Sequence, residues 1–243
     1  MTRALIDVTG PDAAHFLQGL ITNDIRRAGL IYAAMLTPQG KYLADFFILA
    51  QEGGYLIDVA DSLADDLLRR LGMYKLRAQV TLTRADRPVA RGTGPAPEGA
   101  LPDPRHPALG WRHYGQAGDD GSDWDAIRVA NVIPETGIEL TLETYILEAG
   151  FERLNGVDFR KGCYVGQEVT ARMKHKTALA KGLIGVTVDG HAPPGTPILM
   201  ADGREAGVLY TQSGGRGIAH LRFDRIGPGL VAGAARITAE PPA

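Results

Sequence analysis

Residues 160–176 read "RKGCYVGQEVTARMKHK" and contain the single cysteine of the chain. Gly162 and Gly166 flank Cys163 and free the backbone around it for conformations that a β-carbon forbids. From Gly166 onward helix formers dominate, and Glu168 precedes Arg172 by four residues, the favourable order for a helical ion pair. The pattern predicts a helix over "GQEVTARMKHK". Cys163 then lies in the turn before the helix N-terminus, where the partial positive charge favours a thiolate. Five cations (Arg160, Lys161, Arg172, Lys174 and Lys176) stand against Glu168 alone, a local charge of +4. Such surroundings suit an activated thiol or an anionic ligand. The opposite reading is a small buried apolar residue beside a solvated charged face. On chemistry alone both stand.

The rest of the 243-residue chain narrows the setting. At 44% hydrophobic and 22% charged residues it has the composition of a soluble globular protein with room for a sizeable core. A net charge of -2 argues against broad nucleic-acid or membrane-surface binding, so any anion site must be local. No apolar run has the length of a signal peptide or a membrane span. One cysteine forms no internal disulfide, and together these features predict a cytoplasmic protein. A lone thiol builds no metal site, and the six histidines show no ligand spacing, so a metal role would need ligands from a partner.

Upstream, "ALIDVTG" predicts a strand, and "AAHFLQGLITNDI" a helix with Phe16, Leu17, Leu20 and Ile21 on one face, capped by Thr9 or Asp12. "IYAAMLTPQGKYLADFFILAQEGGYLIDVA" reads as three strands joined by turns at "TPQGK" and "QEGG". "SLADDLLRRLGMYKL" is an amphipathic helix with Ser62 as its cap and Gly72 near its end. Residues 91–122, dense in Pro and Gly, read as a long irregular connection with one short strand at "LGWRHY". "DWDAIRVANVIP" predicts a helix ended by Pro134. From Lys181 on, short strands and Gly/Pro turns give the pattern of a small antiparallel barrel. The expected organisation is α+β, with a domain over residues 1–180 and a C-terminal barrel over 181–243.

Lys161-Gly162-Cys163-Tyr164-Val165-Gly166-Gln167-Glu168, continuing to Ala171-Arg172, resembles the signature of the YgfZ-type folate-binding proteins. That group includes a mitochondrial iron–sulfur assembly factor and is related to the T-protein (aminomethyltransferase) of the glycine cleavage system. "VTGPDAAHFLQGLITNDI", "TPQGKYLADFFIL", "IRVANVIPE", "LEAGFERLNGVDFRKGC" and "DGREAGVLYT…GIAHLR" extend the resemblance along the chain. It implies two interleaved α+β subdomains and a barrel around a folate-sized opening. It further implies binding of tetrahydrofolate or a derivative, and a role in making or repairing iron–sulfur enzymes, with indirect effects on modified tRNA. Its partners would be iron–sulfur proteins or assembly factors, with no direct nucleic-acid and no membrane contact.

On the matched positions, the family's functional cysteine falls on Cys163 and the motif lysine on Lys161. Tyr164, Gln167, Glu168 and Arg172 of the motif, together with Asp45, Arg128, Glu135 and Glu148, are the candidates for holding folate. A carboxylate suits a pterin, which needs paired donors and acceptors between apolar walls. The chain departs from the T-protein at two points. It carries Ala44 then Asp45 where the transferase has an acidic pair, and Ile146 where the transferase has an arginine before "LEAG". Both departures disfavour aminomethyl transfer, which stands as the alternative beside a folate-fold binding module without chemistry.

Overall fold

The computed structural model describes residues 2–175 and 179–240, so Lys176 of the basic stretch lies outside them. The chain forms two compact units, each from two separate stretches: Met1–Ser122 with Phe151–Ala171, and Asp123–Gly150 with Arg172–Ala243.

The first unit is built on an antiparallel sheet of β1 (Arg3–Thr9), β2 (Leu30–Leu36), β3 (Tyr42–Gln51), β4 (Gly54–Ala60) and β5 (Thr81–Ala85), in spatial order β2-β3-β4-β1-β5. β2 is buried at every position and β3 over its first seven residues. An antiparallel strand with one wet face alternates in burial, so these unbroken runs mean that both faces are covered. Ala33, Met35, Phe46 and Ile48 pack with helices α1 (Ala13–Gln18) and α2 (Asp61–Lys75), the latter through Ala64, Leu67 and Leu71 at helical spacing. On the other face Tyr32 pairs in register with Phe47 and stacks on Phe151 at 5.1 Å between ring centroids. Full burial of each large apolar side chain contributes ~1.5–3 kcal/mol.

Both helices differ at their ends from the sequence pattern. α1 stops at Gln18, and the Asp12 carboxylate accepts from the Gln79 backbone N–H instead of capping its own helix. α2 begins at Asp61 with Ala60 at the cap position, which puts Ser62 inside the first turn. Its C-terminal neighbour Leu76 is held at φ 44° and ψ -106°, a conformation that costs a leucine about 1–3 kcal/mol.

The expected irregular connection over 91–122 is instead a second, four-stranded sheet. β6 (Val89–Gly92), β7 (Leu101–Pro102), β8 (Trp111–Tyr114) and β9 (Gly118–Asp119) lie in the order β7-β8-β6-β9. Strands of two to four residues are too short to show a period. They are also anchored by buried charge rather than by apolar side chains. Arg112 of β8 donates two hydrogen bonds to Asp58 of β4, at 3.1 and 2.7 Å, and both residues are buried.

In the second unit, α3 (Trp124–Asn131) is capped by the Asp123 carboxylate, which accepts from Ala126 N–H. The helix ends three residues before Pro134, not at it. Val132 takes a left-handed conformation and Ile133 N–H bonds back to Arg128 C=O, the hydrogen bond of a helix-terminating reversal. Strands β10 (Lys181–Asp189), β11 (Thr196–Leu199), β12 (Glu205–Ser213), β13 (Arg216–Arg222), β14 (Leu230–Ala232) and β15 (Ala235–Thr238) close into a barrel in the order β10-β13-β12-β11-β14-β15. Val186, Val188, Ile198, Leu209, Leu221 and Ile237 fill its core. The architecture is the expected α+β fold with a closed C-terminal antiparallel barrel.

Candidate functional site

The motif helix spans Gln167–His175, and the loop before it carries Cys163. Three features fix that loop within the first unit. Lys161 is buried, and its ammonium donates to the backbone carbonyls of Gln18, at 2.8 Å, and Ile21, at 2.5 Å. The Gln18 carbonyl is the last of α1, where a cation also meets the negative end of the helix dipole, and Ile21 lies three residues further on. Lys161 Nζ lies over the ring of Tyr164, 4.9 Å from its centroid. Val165 N–H then bonds to Gly19 C=O at 3.1 Å.

The third feature is the fit of two glycines. Gly166 sits at φ 84°, and a β-carbon there would stand 2.5 Å from Thr37 O. Gly40, at φ 77° in the β2–β3 turn, faces the motif helix so closely that a β-carbon would lie 2.8 Å from Val169 Cβ. The sequence "TPQGK" and the motif are therefore two halves of one packed contact.

On this anchored loop Cys163 is exposed, which removes the reading of a small buried apolar residue. Its neighbours Lys161 and Tyr164 are buried. Burial pushes the Lys161 ammonium down to about 8, against the opposing pull of Asp24 and Asp158. It pushes the Tyr164 phenol up to about 12. Glu168 and Arg172 are exposed and Gln167 is half-buried.

Asp45 is buried on β3 and accepts from Tyr42 Oη at 2.6 Å and Tyr32 Oη at 3.0 Å. Burial and the Asp45 charge together hold the Tyr32 phenol protonated far above its usual range. The same sheet face carries a set of charges that the sequence reading missed. Asp58 also accepts from Arg3 at 2.6 Å and from Tyr114 Oη at 3.0 Å. Burial alone would raise the Asp58 pKa, yet Arg112 and Arg3 hold it below the ordinary carboxylate value. Arg105 pairs with Asp103 at 2.8 Å, and Arg105 and Arg112 lie over the Phe47 ring, 4.8 and 4.1 Å from its centroid.

In the second unit Arg128 is the hub of another buried cluster. It reaches Glu139 at 2.6 Å, Asp125 at 2.9 Å and Glu135 at 3.0 Å, and donates to Ile133 C=O and Thr211. Glu139, absent from the sequence candidates, is fully enclosed and also accepts from Thr211 Oγ1 at 2.5 Å. Arg128 and Glu135 are thus committed to each other and to α3 and β12. Glu148 differs. Its Oε2 meets His220 Nε2 at 3.2 Å and Lys181 Nζ at 3.6 Å, on the wall of a pocket of about 160 Å³. Tyr210, Leu183, Ala149 and Thr144 share that wall.

Tested against a pterin, these residues divide. Both Asp45 oxygens already accept phenol donors, and the Arg128 guanidinium is taken up by carboxylates. Glu148 fits: a carboxylate on a cavity whose other walls include the Tyr210 ring and Leu183. One signal for the missed groups was present in the sequence. Asp58 in "YLIDVA" and Glu139 in "GIEL" are single charges inside apolar runs, where an ionised group needs a buried partner.

Residues 181–243 match the C-terminal β-barrel domain of CAF17. The chain is similar to the mitochondrial iron–sulfur cluster assembly factor IBA57 of Mus musculus, 33% identical over 92% of this chain and 76% of the relative. It is 31% identical to the mitochondrial IBA57 of Homo sapiens over the same shares. Among solved structures it resembles the glycine cleavage system aminomethyltransferase T from Bartonella henselae, with a TM-score of 0.75 and 13% identity over 98% of this chain and 83% of that one. That likeness shows the T-protein fold. The mitochondrial names of the relatives overturn the cytoplasmic location expected from the sequence.

Proposed function

Since the chain belongs to the family of the iron–sulfur cluster assembly factor IBA57, we propose that it supports the assembly or repair of iron–sulfur enzymes through Cys163. The observation that carries this is an exposed thiol on a loop whose backbone is pinned on either side, by buried Lys161 and by Gly166. Such a loop presents a sulfur at a defined position without spending it on the core. As the only cysteine of the chain, Cys163 offers one thiolate to a cluster, and the remaining ligands come from a partner protein or a small thiol. The YgfZ-type signature around it supports the same reading.

We further propose tetrahydrofolate or a derivative as the bound cofactor, with Glu148 as the carboxylate that faces its pterin. When bound, a reduced folate supplies a one-carbon carrier and a reducing ring. Glu148, oriented by His220 and Lys181, would accept hydrogen bonds from the ring donors, with Tyr210 and Leu183 as walls. Aminomethyl transfer is the less supported alternative. Asp45 lacks an acidic partner at position 44, and its oxygens are held by Tyr32 and Tyr42.

Two experiments test this. In cells lacking the gene, the wild-type chain should restore the activity of iron–sulfur enzymes, and Cys163→Ala at equal abundance should not. Calorimetric titration of the purified chain with tetrahydrofolate should give saturable binding that Glu148→Gln weakens about tenfold, the loss of one charge-assisted hydrogen bond. Restoration by Cys163→Ala contradicts the first proposal, and absence of folate binding contradicts the second.

A further inference from the structure

Of the six large apolar side chains exposed among the described residues, three fall within four consecutive positions at the end of α2. Met73 is 54% exposed, Tyr74 37% and Leu76 88%. Leu76 is also one of three non-glycine residues with positive φ among the described residues, and its near-complete exposure means that no packing among them compensates that conformation. Glycine would adopt it more easily.

The charge around these side chains is one-sided. Residues 66–77 hold Arg69, Arg70, Lys75 and Arg77 against Asp66, four positive charges to one negative, in a chain whose net charge is -2. Arg69 and Arg70 share the single carboxylate of Asp66, and Arg69 Nη1 lies 4.0 Å from Met73 Sδ. The cations therefore frame the apolar side chains with a local excess of positive charge, even with Arg69 and Arg70 paired to Asp66.

We infer that Met73–Arg77 is a docking surface for a partner protein whose contacting segment combines apolar side chains with Asp or Glu. Charge complementarity selects the acidic partner: its carboxylates meet Lys75, Arg77 and the shared arginines, while its apolar residues cover Met73, Tyr74 and Leu76. A lipid surface fits less well. A membrane-bound helix lays a whole apolar face in the interface, whereas the apolar face of α2 (Ala64, Leu67 and Leu71) is already buried against the sheet. The inference is independent of the role of Cys163, because it concerns where a protein docks and not what the thiol does.

The test uses the full chain with methionine methyl groups labelled for NMR. The probe is a synthetic fifteen-residue peptide of alternating Leu and Glu, its control the same peptide with Lys for Glu. The expected result is saturable binding of the Glu peptide alone, with the Met73 methyl signal shifted. Lys75→Glu with Arg77→Glu should weaken binding at least tenfold, and Leu76→Ser should weaken it several-fold. Leu76→Gly should raise the unfolding temperature while weakening binding, which separates a docking residue from a structural one. Binding of both peptides alike, or of neither, overturns the inference. So does binding of phosphatidylcholine–phosphatidylglycerol vesicles, or of an RNA oligonucleotide, that the same charge reversal abolishes while peptide binding survives it.

Discussion

Lys161 and Arg128 are both cations at expected site positions, and each is 5% exposed, but they are buried by opposite means. Arg128 is neutralised by Asp125, Glu135 and Glu139, and its remaining donors go to Ile133 and Thr211. Lys161 meets two carbonyl dipoles and the face of Tyr164. A saturated guanidinium is a joint between α3 and β12. An ammonium held by carbonyls keeps a charge that burial has destabilised, two residues from an exposed thiol. Arg128 thus ties elements of the second unit together, and Lys161 positions the Cys163 loop.

The largest effect that probes this contrast is Arg128→Met. It leaves the enclosed Glu139 carboxylate without its cation, and denaturant unfolding should show a loss of about 3–5 kcal/mol. A loss under ~1 kcal/mol would break the account of Arg128 as a structural hub. Lys161→Met should instead show itself through pH. The unfolded lysine titrates at 10.5 and the folded one at about 8, so between these values the unfolded chain binds more protons. Wild-type stability therefore rises with pH across that window, by on the order of 3 kcal/mol relative to Lys161→Met. A flat difference between the two proteins from pH 8 to 10.5 means that the ammonium is not held under a burial penalty.

Gly166→Ala comes next, because the added β-carbon meets Thr37 O and the backbone is at φ 84°. The expected loss is about 1–3 kcal/mol, together with a cysteine that reacts more variably with a thiol reagent as the loop loosens. Cys163→Ser should change stability by no more than ~0.5 kcal/mol, as an exposed side chain away from the core.

What the sequence reveals follows the range of the forces involved. The β2–β3 hairpin is legible as two apolar runs joined by the "TPQGK" turn, α2 by its helical spacing and the barrel by its short strands and turns, all of them local patterns. The motif helix is legible for the same reason, and its glycines announce the tight turn before it. The sheet over Val89–Asp119 is not, since its strands are short and its anchors are ion pairs between residues far apart in the chain. Arg112 and Asp58 are 54 residues apart, and in the second unit the buried hydrogen bond from Thr211 to Glu139 spans 72. The partners of the candidate site residues are hidden for the same reason. Arg128 and Glu135 look like ligand-binding residues until Glu139 is brought beside them by the fold. Asp45 looks free until Tyr32 and Tyr42 close on it.

The central claim is that Cys163 is displayed for work and not for stability. The most direct measurement is the activity of iron–sulfur enzymes in cells that lack the gene and carry Cys163→Ala, with its abundance and unfolding temperature determined alongside. The account predicts a protein of wild-type stability and abundance that restores no activity. Full restoration of those activities by the Cys163→Ala chain would contradict it.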